Sequence, residues 1–566
     1  MSEKKEVSRR SYIKYGAAAV VVVAAGAGGA YYYSTLPPPT PPPPTTTAAV
    51  TTTAMPPPTS AVATTMASSS VSGLHPATGP FYLGGNAYLQ PFTDFDFKGT
   101  SITGVVDSGL NYIPFVDPDE GYPNSVTSGP HFGQNQVPKF QDATGITVTM
   151  DAVDAGDTYS LYMTDLVSGT GKWNIIVYFS TYNGDIMGGG YTYPIDDLVA
   201  KYNVDTSLMP PFIKQLYCSY AGHLMALPYD GDFHAYYYRK DIFSNPDIMS
   251  KFKAKYGYDL APAQTWKQYN DIGEFFTGWD WAGDGKPHYG LVEDIKDLGH
   301  EQWMQRFASW QGVYFDENMN PQVNTPAGIS AATDLLTAIT KYAPPGDTSL
   351  AWEEVISTFC NGTVPQMVAW PDIGPRGGTG NYSVKGDQIG TTLPPGGATV
   401  NGNLVRRSLV SPGRVMVISK YTPPEKVEAV FLLMKWMYEV GPIYVPTGLN
   451  GEDPPDDACD APGSLPYWSA SNTAWSAAGI QDYIAGAKTC LANGYPDIYL
   501  PGQAQYVDSL DRHLGEMLAG KSTPTEAMSS VNDDWVGITK DIGLPKQQAL
   551  WKEVVAAYKA LGLWPS

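Results

Sequence analysis

The sequence predicts an α/β fold built from more than one lobe. Short apolar strands alternate with helices in the first half of the body, a pattern typical of parallel sheets flanked by helices. The chain has 566 residues, which is more than one hydrophobic core normally holds. Hydrophobic residues make up 43% of it and charged residues only 16%, so the composition is that of a folded protein with a mostly uncharged surface.

The first 33 residues are predicted to be an export signal or a membrane anchor. SRRSYIKYG at residues 8–16 resembles the twin-arginine pattern S-R-R-x-[FY]-[LI]-K, and an apolar run from Gly16 to Tyr33 follows. This run has 18 residues, within the range of about 17–25 that spans a bilayer. Cleavage after Ala30 would secrete the body, whereas retention would tether it at the extracellular face, since the basic residues precede the run.

Residues 34–72 are predicted to form an extended stalk before the folded body at 73–566. The stretch has no charged residue and is mostly Pro, Thr, Ser and Ala, so it cannot bury a core. The whole chain carries a formal net charge of −21. Such an acidic body repels phosphate backbones, which argues against nucleic acid as a partner.

The elements of the body follow in order from residue 97. KGTSITGVV predicts a first strand, FQDATGITVTM the end of a helix and a second strand, and Ile175 to Phe179 a buried third strand. Thr265 and Thr325 are predicted N-caps of later helices, and STPTEAM near the C-terminus has the same pattern. The helix after YTPPEKV is expected to bury a stripe of residues at helical spacing, which are Val427, Val430, Phe431 and Met434.

Eight segments occur in an order that resembles extracellular solute-binding protein family 1, the maltose-binding-protein-like receptors of ABC importers. They run from FQDATGITV to LPGQAQYVDSLDRHLGEMLAGKSTPTEAM and include LPYDGDFHAYYYRKDIF, FCNGTVPQMVAW and RVMVISKYTPPEKVEAVFLLMKWM. The likeness covers residues 97 to 545, which is nearly all of the body. The leader, stalk and acidic composition also resemble those of archaeal cell-surface receptors.

The resemblance implies a type II periplasmic-binding-protein-like fold, with two discontinuous α/β lobes, a hinge and an interlobe cleft. By analogy, one lobe comprises residues 97–228 and 412–455, and the other comprises 229–411 with the C-terminal helices of 456–566. LPYDGDFHAYYYRKDIF would be the first crossover between the lobes. The implied function is capture of a sugar or oligosaccharide outside the cell and delivery to an ABC permease, whose ATPase is a further separate chain. No cofactor, metal or catalytic residue is expected.

Carboxylates and aromatic rings suit such a solute, because sugars present both hydroxyl groups and apolar C–H faces. The resemblance places candidate ligand contacts at strand ends and in the second lobe. These candidates are Thr181, Tyr182, Tyr229, Asp230, Asp232, Trp303, Trp370, Asp372, Gln503 and Tyr506. The tyrosines at 236–238 and Trp266 are instead expected to be structural.

Two other classes stay open, an extracellular glycosidase and a structural envelope protein. A glycosidase would also need aromatic rings and a carboxylate pair, for which Asp230 and Asp232 are available. No GxSxG or HExxH motif occurs, and HEQWM at residue 300 lacks the second histidine. Asp280 and Asp284 lie around two glycines as in a calcium loop, but no glutamate follows at the required spacing.

The cysteines and sequons fit an extracellular location. The four cysteines show no CxxC spacing, and of the three possible pairings a Cys459–Cys490 disulfide is preferred because these two are closest in sequence. Asn361 and Asn381 each begin an N-glycosylation sequon.

Overall fold

The structure is a computed structural model, and it describes residues 97–107, 115, 137–154, 157–296, 298–371, 373–411, 413–439 and 474–565. The predicted leader and stalk, Asp372 and Cys459 lie outside these residues. Within them, no helix combines the length and the apolar character needed to cross a bilayer.

Strands and helices alternate from β1 to β3, and longer runs of strands or helices follow in the rest of the described chain. The strands are β1 Ser101–Asp107, β2 Thr147–Val153, β3 Ile175–Phe179, β4 Ser219–Tyr220, β5 His223–Leu224, β6 Ala226–Asp230, β7 Ala235–Arg239, β8 Gln366–Ala369, β9 Ile389–Thr392, β10 Thr399–Val400, β11 Asn403–Leu404, β12 Ser408–Val410, β13 Arg414–Ile418 and β14 Gly494–Pro496. The α-helices are α1 Val137–Thr144, α2 Thr158–Ser168, α3 Asn183–Ile186, α4 Asp196–Lys201, α5 Lys240–Phe243, α6 Pro246–Tyr256, α7 Trp266–Phe276, α8 Gly299–Ser309, α9 Pro326–Tyr342, α10 Trp352–Cys360, α11 Ile373–Gly378, α12 Pro424–Glu439, α13 Ala477–Ala492, α14 Gln503–Leu518, α15 Pro524–Ile542 and α16 Leu544–Ala560.

The first sheet has the strand order β2-β1-β3-β13-β6. Strand β1 is parallel to β2 and β3, whereas β13 is antiparallel to both of its neighbours, β3 and β6. The carboxyl ends of β1, β3 and β6 therefore meet the start of β13 at one edge of the sheet. Open α/β sheets bind their ligands beyond the carboxyl ends of their strands.

The second sheet has the strand order β8-β7-β9, with both outer strands antiparallel to β7. The start of β7 and the carboxyl ends of β8 and β9 therefore share one edge. The chain leaves the first sheet at the end of β6 and enters the second at the start of β7, so residues 231–234 form a first crossing. It returns to the first sheet between the end of β12 at Val410 and the start of β13 at Arg414, and Ser411 and Gly413 of this second crossing are described.

Local sequence signals place most elements correctly. Strand β3 has the predicted bounds, and the Thr265 side chain caps α7 by accepting the N–H of Gln268 in a reciprocal capping box. Thr325 does precede α9, but its hydroxyl donates to the carbonyl of Gln322 instead of capping the helix. The start of that helix is therefore marked by Pro326 at the first helical position. The predicted apolar stripe of α12 is buried.

The residues expected to be structural are part of the core beside the second sheet. Tyr236 and Tyr237 of β7 are buried and Tyr238 is half-buried. Trp266 is also buried, and its Nε1 donates to Ser309 Oγ over 2.8 Å. The C-terminal helices α14 and α15 pack against α8 and α9. They therefore cover the helices that lie beside the second sheet.

Candidate functional site

Four charged side chains meet at the edge of the first sheet where β1, β3 and β6 end. We call them the Arg414 cluster, which comprises Asp107, Asp230, Asp232 and Arg414. The guanidinium donates from Nε to Asp107 Oδ1 over 2.8 Å and from Nη1 to Asp230 Oδ2 over 2.6 Å. Its Nη1 also lies 3.8 Å from Asp232 Oδ2. The three acids are only 1%, 2% and 6% exposed, so the guanidinium provides a positive charge close to buried carboxylates.

Strand register produces this cluster. Asp107 and Asp230 are the last residues of β1 and β6, and Arg414, the first residue of β13, is in register with both Asp230 and Phe179. The Arg414 guanidinium lies 4.3 Å from the centre of the Phe179 ring, within cation–π range. Burial alone would lower the pKa of Arg414, but Asp107 and Asp230 outweigh it and raise that pKa. The cluster therefore keeps its one positive charge at physiological pH.

The remaining candidates of the first sheet lie at the same edge. Thr181 and Tyr182 follow β3 directly; Thr181 is buried and Tyr182 is half-buried, with its ring centre 5.9 Å from that of Phe179. Tyr229 precedes Asp230 on β6 and is half-buried, with its ring 5.3 Å from Phe115. The edge thus presents carboxylates, a hydroxyl and aromatic rings together, which is the mixture expected of a site for small polar solutes.

A second group of polar side chains, the Glu301 network, lies where the second sheet meets helix α8. The Glu301 carboxylate accepts a hydrogen bond from Nε1 of Trp370 over 2.9 Å, and its Oε2 is 3.0 Å from Nε2 of His234. The Ser411 hydroxyl lies 3.2 Å from Glu301 Oε1 and 3.1 Å from Asp497 Oδ2. Trp370 directly follows β8 and is half-buried, so the network fixes an aromatic ring at the edge of the second sheet.

The network continues into the C-terminal helices. Gln503 Nε2 donates to Asp497 Oδ2 over 3.4 Å. His300 uses its main-chain N–H and its Nδ1 to contact the two oxygens of Asp511, at 2.7 and 3.0 Å. Burial raises the pKa of Asp497 to about 6, although His300 acts in the opposite direction. Helices α8 and α14 are therefore joined by a partly exposed ion pair between His300 and Asp511 as well as by apolar packing.

The two crossings connect the Arg414 cluster with the Glu301 network. Asp232 and His234 lie on the first crossing, and Ser411 and Gly413 on the second. A Cβ atom on Gly413 would lie 2.7 Å from the main-chain oxygen of Asp230 and 3.2 Å from the main-chain nitrogen of Asp232. This close approach requires a glycine, so the second crossing lies directly against the first. The Arg414 cluster and the Glu301 network are thus at opposite ends of the same pair of crossing segments.

Two predicted contacts lie in the core, away from either edge. Trp303 is 0% exposed, its ring centre is 4.4 Å from that of Phe307, and its Nε1 donates to the carbonyl of Gly328. Tyr506 is also 0% exposed, and its hydroxyl is hydrogen-bonded with that of Thr539. A side chain without exposed surface has no face for a solute, so we leave both out of the proposed contact set. Gln503 is buried within the Glu301 network.

Sequence reasoning missed the residues that organise the site. Asp107 and Arg414 are 307 positions apart in the chain, and neither belongs to a local motif. Glu301 was considered only as part of an incomplete HExxH pattern. The available signal was weaker: an acid ends a predicted parallel strand, and a basic residue begins the strand RVMVI.

The His300–Asp511 pair predicts a pH-dependent contribution to stability. Burial lowers the pKa of His300, but Asp511, with Glu301 and Asp497, outweighs this effect and raises it from 6.5 to about 9. The folded state therefore favours the imidazolium, and its contribution is complete below pH 6.5 and lost as pH rises through 9. We expect His300→Gln to cost on the order of 2 kcal/mol more in unfolding free energy at pH 6 than at pH 9.5.

Urea unfolding at the two pH values measures this difference. His223→Gln is the matched control, because His223 forms an exposed pair with Asp196 and should show little change at either pH. An equal cost of His300→Gln at both pH values would contradict the assignment of a stabilising charge to His300.

Comparisons with known proteins assign the chain to a family. A family model described as bacterial extracellular solute-binding protein matches residues 124–441, which is more than half of the chain. The chain therefore belongs to the bacterial extracellular solute-binding protein family, and the family resemblance predicted from the eight segments is confirmed. The family consists of proteins that bind solutes.

Individual relatives are more distant. A mannitol-binding protein of Pseudomonas aeruginosa is 25% identical over 217 residues, covering 37% of this chain and 44% of the relative. A probable amino-acid ABC transporter periplasmic-binding protein of Sinorhizobium fredii is 22% identical over 249 residues, covering 41% and 51%. The chain spans about half the length of these curated relatives.

A solved structure shows the fold over a larger part of the chain. The ribitol complex of an ABC transporter solute-binding protein from Agrobacterium radiobacter K84 aligns with a TM-score of 0.61 and 20% identity, over 79% of this chain and 99% of that one. The predicted type II periplasmic-binding-protein-like fold is thereby confirmed. The lobe boundaries given above stay predictions.

Proposed function

We propose that this protein captures a neutral, hydroxyl-rich solute, a sugar or polyol, and delivers it to an ABC permease. The solute would bind at the edge of the first sheet that carries the Arg414 cluster. The observation that carries the proposal is the buried pairing of Arg414 with Asp107 and Asp230 at the carboxyl ends of the strands. The relatives named for mannitol and ribitol support this class of solute. The proposed class of solute still includes the oligosaccharides predicted from the sequence.

The charge of the cluster argues against an anionic solute. Three acids, Asp107, Asp230 and Asp232, lie around the single guanidinium of Arg414, so acidic side chains outnumber basic ones within this cluster. A carboxylate or phosphate on the solute would be repelled, whereas a hydroxyl group can donate a strong hydrogen bond to an ionised acid. The rings of Tyr182, Tyr229 and Trp370 would pack against the C–H faces of a sugar.

Binding and closure are expected to be linked through the two crossings. Thr181, Tyr182, Tyr229, Asp230 and Asp232 belong to the first edge, and Trp370 to the second. A solute that contacts both sets stabilises the arrangement in which the edges lie close together. The permease would recognise that arrangement, and the permease and its ATPase are separate chains.

An enzymatic role is disfavoured by the same geometry. A glycosidase needs one carboxyl group that stays protonated to act as an acid. Asp230 and Asp232 share the positive charge of Arg414 at 2.6 and 3.8 Å, which favours the ionised form of both. We infer that the protein binds its solute without converting it.

The extracellular predictions belong to this proposal as well. An N-terminal anchor or cleaved leader and a stalk would place the body outside the membrane. Asn361 and Asn381 are exposed and thus accessible to glycosylation. Cys490 is buried on α13 and is a free cysteine in the structure, so its predicted pairing with Cys459 is not part of the proposal.

Replacing Asp232 with alanine provides the test. Asp232 is the acid farthest from Arg414, so its removal should cost a charge-assisted hydrogen bond to the solute while leaving the two short ion pairs intact. We expect affinity for the bound sugar or polyol to fall about 10- to 100-fold, corresponding to about 1.5–3 kcal/mol. Tryptophan fluorescence of the full chain, titrated with mono- and oligosaccharides, mannitol, ribitol, amino acids and phosphate, measures it.

Two controls complete the experiment. Asp196→Ala removes an exposed acid on α4 and should leave affinity unchanged. Each mixture is checked afterwards for breakdown of the solute. Saturable binding of an amino acid but of no sugar or polyol would overturn the proposed class of solute, and cleavage of a bound sugar would overturn the receptor assignment. Absence of any solute-dependent change would favour a structural envelope role.

A further inference from the structure

Glu301 contacts an aromatic ring at the edge of the second sheet and both crossings through one carboxylate. Its Oε2 accepts the indole N–H of Trp370 over 2.9 Å and lies 3.0 Å from Nε2 of His234, on the first crossing. Its Oε1 lies 3.2 Å from the hydroxyl oxygen of Ser411, on the second crossing. Glu301 is 1% exposed, so water does not compete for these hydrogen bonds.

The helix that carries Glu301 is itself fixed to two strands. Every residue of α8 is buried. Gln302 Nε2 donates to the main-chain carbonyl of Val368 on β8 over 3.2 Å, and Gln305 Oε1 accepts the main-chain N–H of Leu409 on β12 over 2.7 Å. Helix α8 therefore has a set position relative to β8, which ends beside Trp370, and to β12, which leads into the second crossing.

The Trp370 indole has a second restraint. Its ring centre lies 5.0 Å from that of Trp352, the first residue of α10, and the two ring planes are inclined by 61°. Aromatic pairs attract each other in such edge-to-face arrangements. The hydrogen bond to Glu301 and this ring contact together fix both the position and the plane of the indole. Trp370 is nevertheless half-buried, so part of its surface stays open to a solute.

We propose that Glu301 is a positioning residue for the solute, an inference that rests on the proposed function. Glu301 is too deeply buried to contact the solute; it sets the plane of Trp370 and keeps that ring in a fixed place relative to both crossings. The ring then has little freedom left to lose when it meets the solute. A ring fixed in one plane suits a solute with a flat C–H face, so we expect a ring-form sugar to gain more from Trp370 than an acyclic polyol does.

Two substitutions at Glu301 separate the length of the side chain from its charge. Glu301→Asp keeps the negative charge, but the loss of one methylene group takes the carboxylate away from Trp370 Nε1. Glu301→Gln removes the charge and keeps the length. Its amide oxygen can replace Oε2, and its NH2 group can donate to the hydroxyl oxygen of Ser411, whose own hydrogen can go to Asp497 Oδ2, 3.1 Å away.

Fluorescence titration of the full chain with glucose, maltose and mannitol measures the affinities. Glu301→Asp should weaken binding of the ring-form sugar about tenfold and binding of mannitol less, whereas Glu301→Gln should recover the affinity to within about threefold. The matched control is Glu425→Asp, the same shortening at an exposed glutamate of α12, which should bind as the unmodified chain does. Far-ultraviolet circular dichroism checks the fold of each variant.

A second measurement needs no solute. The near-ultraviolet circular dichroism of the solute-free chain should change in Glu301→Asp, and this change should be absent when the substitution is made in a Trp370→Phe background. If Glu301→Asp does not fold, Trp370→Phe carries the test. It keeps an aromatic face but has no N–H group for Glu301, so the affinity for the ring-form sugar should again fall about tenfold.

Several results would overturn the proposal. If Glu301→Gln weakened binding as much as Glu301→Asp, the charge of Glu301 would matter and not its hydrogen bond to Trp370. Unchanged affinity of Glu301→Asp or of Trp370→Phe would contradict the positioning role, as would a dichroism change that persists in the Trp370→Phe background. Equal losses for maltose and mannitol would contradict the preference for ring-form sugars. If no sugar or polyol bound, the proposed function would fail, and the near-ultraviolet comparison would still decide whether Glu301 sets the indole.

Discussion

Replacing Arg414 with methionine is expected to lower the free energy of unfolding by about 3–5 kcal/mol. The substitution removes the cation that pairs with Asp107 and Asp230 at 2.8 and 2.6 Å but leaves their buried carboxylates in place. Urea unfolding at pH 7 measures the effect.

The same variant should also lose solute affinity, since the cluster that orients the acids is disrupted. Arg512→Met is the control for loss of an arginine, because Arg512 pairs with Asp534 on the surface and is 49% exposed. That control should change stability by less than about 1 kcal/mol. A loss of similar size in Arg414→Met and Arg512→Met would mean that the buried cluster does not stabilise the first sheet.

Replacing Arg306 with methionine should destabilise the protein by a similar amount, about 3–5 kcal/mol, without changing the solute-binding edge. Arg306 is 0% exposed, and it contacts Glu293 at 2.6 Å and Asp334 at 2.8 Å. Its guanidinium carbon also lies 4.3 Å from the centre of the Trp266 ring. Burial raises the pKa of Asp334 to about 6, although Arg306 and a hydrogen bond from Asn270 Nδ2 act in the opposite direction.

The comparison between the two arginine variants separates stability from function. Arg306→Met should keep its solute affinity at temperatures where it is folded, whereas Arg414→Met should not. Chemical unfolding gives the stability of each variant, and fluorescence titration gives the affinity. If Arg306→Met bound the solute much more weakly while remaining folded, the two charged groups would not be independent.

Local patterns predicted the parts of the fold that depend on neighbouring residues. The bounds of β3 follow from one apolar run, and the cap at Thr265 follows from residues within a single turn. Thr325 shows the limit of this reasoning, because its hydroxyl has a competing acceptor in Gln322. Such competition depends on the geometry of the preceding turn.

The site depends on register between distant segments, which a single sequence does not reveal. The acids near Tyr229 were found because they stand together in the chain. Arg414 could not be assigned to them, because β13 enters the sheet only after the chain has passed through the second sheet. Trp303 and Tyr506 were predicted as solute contacts but are buried in the core. An aromatic residue near polar neighbours in the sequence is equally compatible with a core position, and long-range packing decides which of the two it takes.

The central position of β13 has a consequence for synthesis of the chain. This strand is hydrogen-bonded to β3 on one side and β6 on the other, so the first sheet stays divided until residue 418 has left the ribosome. All strands of the second sheet are made earlier, and they can assemble first. Domains that are contiguous in sequence fold in order from the N-terminus. Here the first sheet is begun before the second sheet and completed after it, and the edges of β3 and β6 that face β13 are unpaired in the meantime.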